Sequence, residues 1–341
     1  MKKTLSLLLL AASLVTACKK TNSTKPSTPT ITTMVSTLAG TGFKGNNNGV
    51  GNQATFNQPL AIAADAAGNV YVADWGNNLI RKITPAGLVS TLLDVTNYGG
   101  SPTAIAVDAS GNIYFTVTEY NTFIYEISPA GIVSPLAGTN SQGNDNGPGN
   151  QASFNLSWGR IAVDAIDNVY VADMGNNLIR KITTAGNTLN YSTDEVTTLA
   201  GTGLYGKNNG PGNQATFYQP RGIAVDAAGN VFVSDQDGGL IRKITPAGVV
   251  STFATGGGGI AVDTAGNVYL VRSGDLGGDI ICRISTSGVI TTLAGSGAAG
   301  YVNGLGSQAS FNGIGGLAID ASGNIYVADT GNNLIRKIVV Q

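Results

Sequence analysis

The sequence predicts an all-β chain of six similar units, each of four antiparallel strands, arranged in a closed ring. Three observations predict this. The motif Asp-x-x-x-Asn-[Val/Ile]-[Tyr/Phe] starts six times, at Asp65, Asp108, Asp164, Asp226, Asp263 and Asp320. Around each copy run short apolar segments that alternate with period two and are divided by Gly- and Pro-containing turns, the signature of half-buried strands. The composition agrees: 48 glycines, only 11% charged residues and no helical periodicity after the N-terminus. Four-stranded units repeated about an axis describe a six-bladed β-propeller.

Before the first motif come two segments that do not belong to the ring. Lys2 and Lys3 precede an apolar run, Leu5 to Val15, too short for a bilayer span of roughly 20 residues but suited to an export signal. The run ends Val15-Thr16-Ala17-Cys18, which resembles the lipobox of bacterial lipoproteins. That resemblance implies cleavage after residue 17 and a lipid on Cys18, placing the protein outside the inner membrane, anchored at the cell envelope. Loss of Lys2 and Lys3 would take the net charge from −1 to −3. Residues 18–32 are rich in Ser, Thr, Pro and Lys, the composition of a flexible tether. Residues 33–341 then form the ring. With Cys18 acylated, Cys282 has no disulfide partner and reads as a small buried residue.

Within a unit, strand a is a run such as Gly222-Ile223-Ala224-Val225, followed by a tight turn in which Gly229 supplies positive φ. Strand b is Val231 to Ser234, strand c runs from Leu240 to Thr245, and strand d is Val249 to Phe253. The chain stops after a strand c, Leu334 to Val340, while an unattached strand d, Met34 to Gly40, stands before the first motif. Pairing these two closes the ring and leaves no open edge in the sixth blade. Four of the connections from d to the next a are long and carry variants of Asn-Gly-x-Gly-[Asn/Ser]-Gln-Ala-[Thr/Ser]-Phe; those before Asp108 and Asp263 are short. Motifs three units apart are separated by 155 to 161 residues, which points to a duplicated three-blade block and approximate two-fold symmetry.

The run GIAVDAAGN-VFVSD-…-LIRKITPAG-VVSTF is similar to the NHL repeat, and the similarity extends over about residues 33–341. The resemblance implies a propeller used chiefly as an interaction module. It also raises a second reading, a calcium-dependent hydrolase or lactonase with its metal in the central channel.

Composition limits the chemistry. The chain has no histidine, which removes Ser-His-Asp triads, His-based metal sites and His general bases. Its three glutamates, Glu119, Glu126 and Glu195, are not at inner-strand positions, where a channel calcium would need them. Near-zero net charge without a basic run argues against a nucleic-acid partner. No cofactor is expected, and the protein is expected to be a monomer.

In a four-stranded blade the d-to-a connections and b-to-c corners share one face, and the a-to-b and c-to-d turns share the other. The second set reads as short and uniform; the first carries length and variation, as a binding face does. Candidate contacts on the first face are the aromatics Trp75, Tyr120, Trp158, Tyr205 and Tyr218, with Met174 beside them. Polar candidates are Asn77, Arg160, Arg221, Gln236, Asp237 and Thr330; Arg160 and Arg221 precede an innermost strand and so stand at the channel mouth. The expected ligand is a protein, peptide or glycan. Phe56, Phe154, Phe217 and Phe311 recur at a fixed offset after Gln-Ala-[Ser/Thr] and read as loop anchors, not stacking platforms. Asp74, Asp173, Asp235 and Asp329 each precede an arginine by seven residues (Arg81, Arg180, Arg242, Arg336), a recurrence that suits a structural ion pair. The units at Asp108 and Asp263 lack it, with Tyr125 and Cys282 at the arginine position, which marks either specialised function or drift.

Overall fold

A computed structural model describes residues 32–118, 122–184 and 191–340; the segment expected to be an export signal, Cys18 and the candidate Tyr120 lie outside the described residues. Six antiparallel sheets follow one another along the chain, and each is one blade. The first runs through Pro59–Ala64, Val70–Asp74, Leu79–Ile83 and Leu88–Asp94 as strands a to d. The sixth is completed from the opposite end of the chain. Thr33–Ala39 lies antiparallel to Leu334–Val340, with Thr33 opposite Val340, Val35 opposite Ile338 and Ala39 opposite Ile335. The expected ring closure is therefore present.

The recurring motif has a local cause. Asp65 Oδ1 accepts from the Asn69 amide at 2.8 Å, and Oδ2 accepts from Asn69 Nδ2 at 2.8 Å and the Tyr71 hydroxyl at 3.1 Å. One carboxylate thus ties the a-to-b turn to the strand that leaves it. Burial, then Asp65, push the Tyr71 phenol up to about 12. The same amide and side-chain bonds recur at the other five motif aspartates, from Asp108 to Asp320. In the third blade Asp167 stands where the others place glycine and takes φ of +64°.

The core lies between blades, where the face of each sheet packs on the next. Phe56, Val70 and Val72 of the first blade meet Tyr326, Ala328 and Ile335 of the sixth in one such layer. Inner strands converge on the axis and leave room only for small residues. A Cβ on Gly222 would sit 2.8 Å from the Gly258 carbonyl oxygen, and one on Gly259 3.3 Å from the Gly316 Cα.

Two expectations need correction. Four blades have five strands, not four. Gly49–Val50, Gly147–Pro148, Gly210–Pro211 and Gly304–Leu305, each from a long connection, pair on the outer side of strand d in the blade that follows. In chain order the sheets count five, four, five, five, four and five strands, so the three-blade period is visible in the fold. The c-to-d connections are not uniform either: in the third blade strand c ends at Thr183 and strand d begins only at Glu195. The end of that connection folds toward the second blade, where the Tyr191 hydroxyl donates to the Gly138 carbonyl.

What pins each long connection is the predicted Asp–Arg pair. Arg81 is fully buried, and its Nη1 donates to Asp74 Oδ2 at 3.0 Å and to the Thr55 carbonyl. Nη2 reaches the Asn47 carbonyl and Asn48 Oδ1, so one guanidinium holds strand b and the connection together. Its plane lies 5.2 Å from the Phe56 ring, itself 0% exposed. Burial pushes the Asp74 carboxyl up, while the Asn57 amide, Asn77 and Arg81 pull it back down. Arg180, Arg242 and Arg336 repeat the arrangement at 2.9, 3.1 and 2.8 Å from their aspartates. The recurring phenylalanines are therefore anchors, as their fixed offset predicts.

The second and fifth blades replace this device with apolar packing. Tyr125 stacks on Phe115 at 5.2 Å and donates to the Tyr98 carbonyl; Cys282 is buried beside Thr292. The second blade differs once more. Four blades place a lysine on strand c (Lys82, Lys181, Lys243, Lys337) with Nζ 5.5 to 5.8 Å from a ring of strand b. Here Glu126 stands opposite Tyr114, 1% exposed, with no hydrogen-bond partner for either carboxylate oxygen. Burial, followed by the charges of Asp108, Asp194 and Asp167, pushes its carboxyl from 4.5 up to about 7.

A carboxyl raised in this way binds its proton more tightly when folded. The stability it contributes is present below about pH 4.5 and is lost as pH rises through about 7, on the order of 3 kcal/mol for this shift. Glu126→Gln is accordingly expected to raise the melting temperature at pH 8 and to change it little at pH 4.5. Equal effects of the substitution at both pH values would refute the assignment.

Candidate functional site

The face that carries the b-to-c corners and the d-to-a connections forms a lip around the channel mouth. Its backbone is set by a left-handed residue before strand a: Gln58, Ser157 and Gln219 take φ of +54°, +46° and +54°. Asparagines at the corners staple neighbouring blades. Asn177 Oδ1 accepts from the Gln219 amide at 3.0 Å, and Asn333 Oδ1 accepts from the Gln58 amide at 2.9 Å. The lip is thus a rigid support for the side chains between these points.

Four predicted aromatics converge on it. The Trp75 and Trp158 rings lie 6.0 Å apart, tilted by 44°, although the first belongs to the first blade and the second leads into the third. Tyr205 and Tyr218 meet edge-on at 5.1 Å on the approach to the fourth blade. Between the two pairs opens a cleft of about 350 Å³, lined by Trp158, Met174, Tyr205 and Gln219, with Thr118 at its edge. Trp158 is 40% exposed and Tyr205 69%, so the rings present open faces to solvent.

A second cavity of about 410 Å³ lies on the other side of the fourth blade's lip, lined by Arg221, Gln236, Arg272, Ser273 and Asp279. Arg221 Nη1 donates to Gln236 Oε1 at 3.3 Å, and the Asp279 carboxylate accepts from the Ile314 amide at 2.6 Å. Burial lowers the Arg221 guanidinium below its usual value. Arg272 and its neighbours were not among the sequence candidates. Their only sequence signal was the loss of the Asp–Arg corner in the blade at Asp263.

Arg160 does more than stand at the channel mouth. It occupies the position four residues before the motif aspartate, where the other blades carry Ala61, Ala104, Gly222, Gly259 or Gly316. With alanine or glycine all around, its side chain extends across the axis. Nη2 donates to the carbonyls of Leu60 at 3.2 Å and Gly315 at 3.0 Å, and Nη1 donates to that of Thr103. One guanidinium therefore bridges the first, second and sixth blades from the third. Burial, then the charge of Arg221, lower it to about 9. These residues do not fit a channel calcium: inner-strand carbonyls that face the axis already accept from a fixed cation. Among the described residues no group of three Asp, Glu, His or Cys side chains could hold a metal ion.

The remaining candidates are placed without convergence. Asn77 is structural, its Nδ2 donating to the Gly45 carbonyl at 2.7 Å and Asp74 Oδ2 at 2.8 Å. Thr330 donates to the Pro59 carbonyl across the ring closure. Asp237 is exposed at the fourth blade's corner.

Comparison with known proteins agrees with this architecture. NHL repeats match at residues 56–83 and 311–338, the two blades that flank the ring closure. The chain is 26% identical over 327 residues to protein SUPPRESSOR OF QUENCHING 1, chloroplastic, of Arabidopsis thaliana. That match takes in 88% of this chain but 27% of the plant protein, so the chain spans about a quarter of its curated relative. A structural genomics protein of unknown function from Bacteroides thetaiotaomicron superposes with a TM-score of 0.66 at 22% identity, covering 91% of this chain and 76% of the other. A catalytically inactive histidine-to-alanine variant of virginiamycin B lyase from Staphylococcus aureus, with quinupristin, gives 0.56 at 17% identity, covering 91% and 100%. The chain is a six-bladed β-propeller that carries NHL repeats.

Proposed function

We propose that the protein is an envelope-anchored binding module that holds a glycan, peptide or protein on its mouth face and performs no catalysis. The observation that carries this reading is one open cleft of about 350 Å³ lined by Trp158 and Tyr205, whose rings are packed in turn by Trp75 and Tyr218. Rigid aromatic faces with a few polar groups between them supply contact area at little entropic cost. A lyase like the staphylococcal protein, inactive once a histidine is replaced, has no counterpart residue in a chain without histidine. A calcium-dependent hydrolase would need the axial position that Arg160 fills. The export signal and Cys18 support placement at the envelope.

The chain holds two tryptophans, Trp158 in the cleft lining and Trp75 packed against it, so tryptophan fluorescence reports on this region. A screen of oligosaccharides and peptides by tryptophan quenching should find a ligand whose affinity drops roughly thirtyfold, about 2 kcal/mol, in Trp158→Ala. Melting of that variant should match the parent, because the ring is 40% exposed. A ligand that binds the variant unchanged would move the site elsewhere. For the anchor, Cys18→Ser should abolish palmitate labelling and release the protein from membranes; label retained by that variant would exclude a lipid at Cys18.

A further inference from the structure

We propose that the cavity beside the channel mouth is a carboxylate subsite, and that the ligand of the aromatic cleft is an acidic oligosaccharide whose uronate group sits against Arg221 and Arg272. This inference rests on the binding reading above and specifies its ligand.

The first argument is charge. Among the described residues the ion pairs are the four buried Asp–Arg corners, and neither Arg160, Arg221 nor Arg272 takes part in one. Arg221 has one weak neutral partner, Gln236 Oε1 at 3.3 Å, and Arg160 has backbone carbonyls only. A half-buried arginine without a carboxylate is costly, as at Arg221, and an anion arriving there recovers that cost, with the exposed Arg272 beside it to complete the grip. Asp279 shares the cavity, but its Oδ2 is already engaged by the Ile314 amide. Asp237 and Asp275 stand exposed on the flanking corners, outside the cavity's lining. The lining therefore carries two guanidinium groups against one engaged carboxylate, with Arg160 adjoining: its amide donates to the Arg221 carbonyl at 2.9 Å.

The second argument is shape. Backbone at Gly256, Gly257 and Gly258 forms one wall, where the fifth blade has the short connection, so no side chain covers Arg221 from that side. The third is continuity. Tyr218 and Gln219 line or flank the aromatic cleft, and the next lip residues, Pro220 and Arg221, lead directly into the second cavity. The Gln236 and Asp237 amides donate to the Gln219 and Tyr218 carbonyls, so the segment between the two cavities is held in one piece. A chain of linked rings can lie on the aromatics and present a carboxylate a few ångströms further on. An acidic peptide is disfavoured because this face is built of corners and connections and offers no unpaired strand edge for main-chain pairing.

The test uses the full chain and three probes: tri-galacturonate, neutral galactotriose and tri-glutamate, titrated by tryptophan fluorescence and calorimetry. Tri-galacturonate should bind at least tenfold more tightly than galactotriose. Its affinity should fall at least tenfold in Arg221→Gln and in Arg272→Gln, with unchanged melting, and should weaken as salt is raised. Equal binding of acidic and neutral trimers, insensitive to both arginine variants but lost in Trp158→Ala, would overturn the carboxylate subsite and leave the binding module standing. Preference for tri-glutamate would overturn the sugar assignment. Absence of binding by all three probes would overturn the inference, whereas the broader screen proposed above tests the binding reading independently.

Discussion

Removal of residues 33–40 is expected to abolish cooperative folding of the entire ring, not to trim one blade. Thr33–Ala39 supplies strand d of the sixth blade, and its inward-facing apolar side chains are enclosed: Val35 is 2% exposed and Ala39 1%. The strand touches three blades. It pairs with Leu334–Val340, its Thr33 hydroxyl donates to the Leu293 carbonyl of the fifth blade at 2.5 Å, and Ala39 packs with Phe56 and Val89 of the first. Each buried valine-sized side chain contributes about 1.5–3 kcal/mol, and a domain's whole margin is about 5–15 kcal/mol. Deletion also bares the edge of Leu334–Val340, a template for aggregation. The measurement is thermal melting with size-exclusion chromatography. A truncated chain that is monomeric and melts with the parent would show that the ring does not depend on this strand. Val35→Asp, which buries one charge in the same place, should lower the melting temperature without removing any backbone.

The second large effect is expected at the corner arginines. Replacing Arg180 with Met leaves Asp173 buried without its cation, and breaking such a pair costs about 3–5 kcal/mol. The loss extends beyond the pair, because Arg180 also holds the Ser153 and Asp145 carbonyls and Asn146 Oδ1 of the long connection. Arg242→Met should cost a similar amount in the fourth blade, where the same four partners recur at Asp235, Thr216, Asn208 and Asn209. Denaturant titration of the two variants measures this. A cost below 1 kcal/mol in both would show that the guanidinium merely fills space. Limited proteolysis should also cut within residues 143–154 first in the Arg180 variant, since that connection loses its main tie.

Much of the fold was legible because its determinants are local and repeated. Asp65, Asn69 and Tyr71 stand within seven residues and bond one another, so the motif that identifies the turn is also the device that forms it. The Asp–Arg pair was equally readable from its constant spacing across four blades. What escaped depended on contacts between residues far apart in the chain. The outer fifth strands are two residues long, too short to carry any periodicity. Arg160 was recognisable as a mouth residue, but its carbonyl partners lie 57, 100 and 155 residues away, in three other blades. Glu126 shows in the sequence only as one of three glutamates, whereas two of the charges that help raise its carboxyl, Asp194 and Asp167, come from the next blade. Arg272 was visible only as a departure from a pattern, and a missing aspartate does not reveal what replaces its role.

The order of five-, four- and five-stranded sheets, given twice, makes the two halves of the ring interchangeable in architecture. They are not interchangeable at the mouth. A half-turn carries Arg160 onto Gly316, Arg221 onto Leu60 and Tyr205 onto Lys44. A scaffold of even symmetry thus displays a single, handed surface. A ligand of the proposed binding module would meet the aromatic side from one direction and the arginine side from the other, and only one of its two orientations would place both. The duplicated frame supplies stiffness twice over, while under the proposed binding function the broken equivalence predicts one bound molecule per ring, held with a fixed polarity.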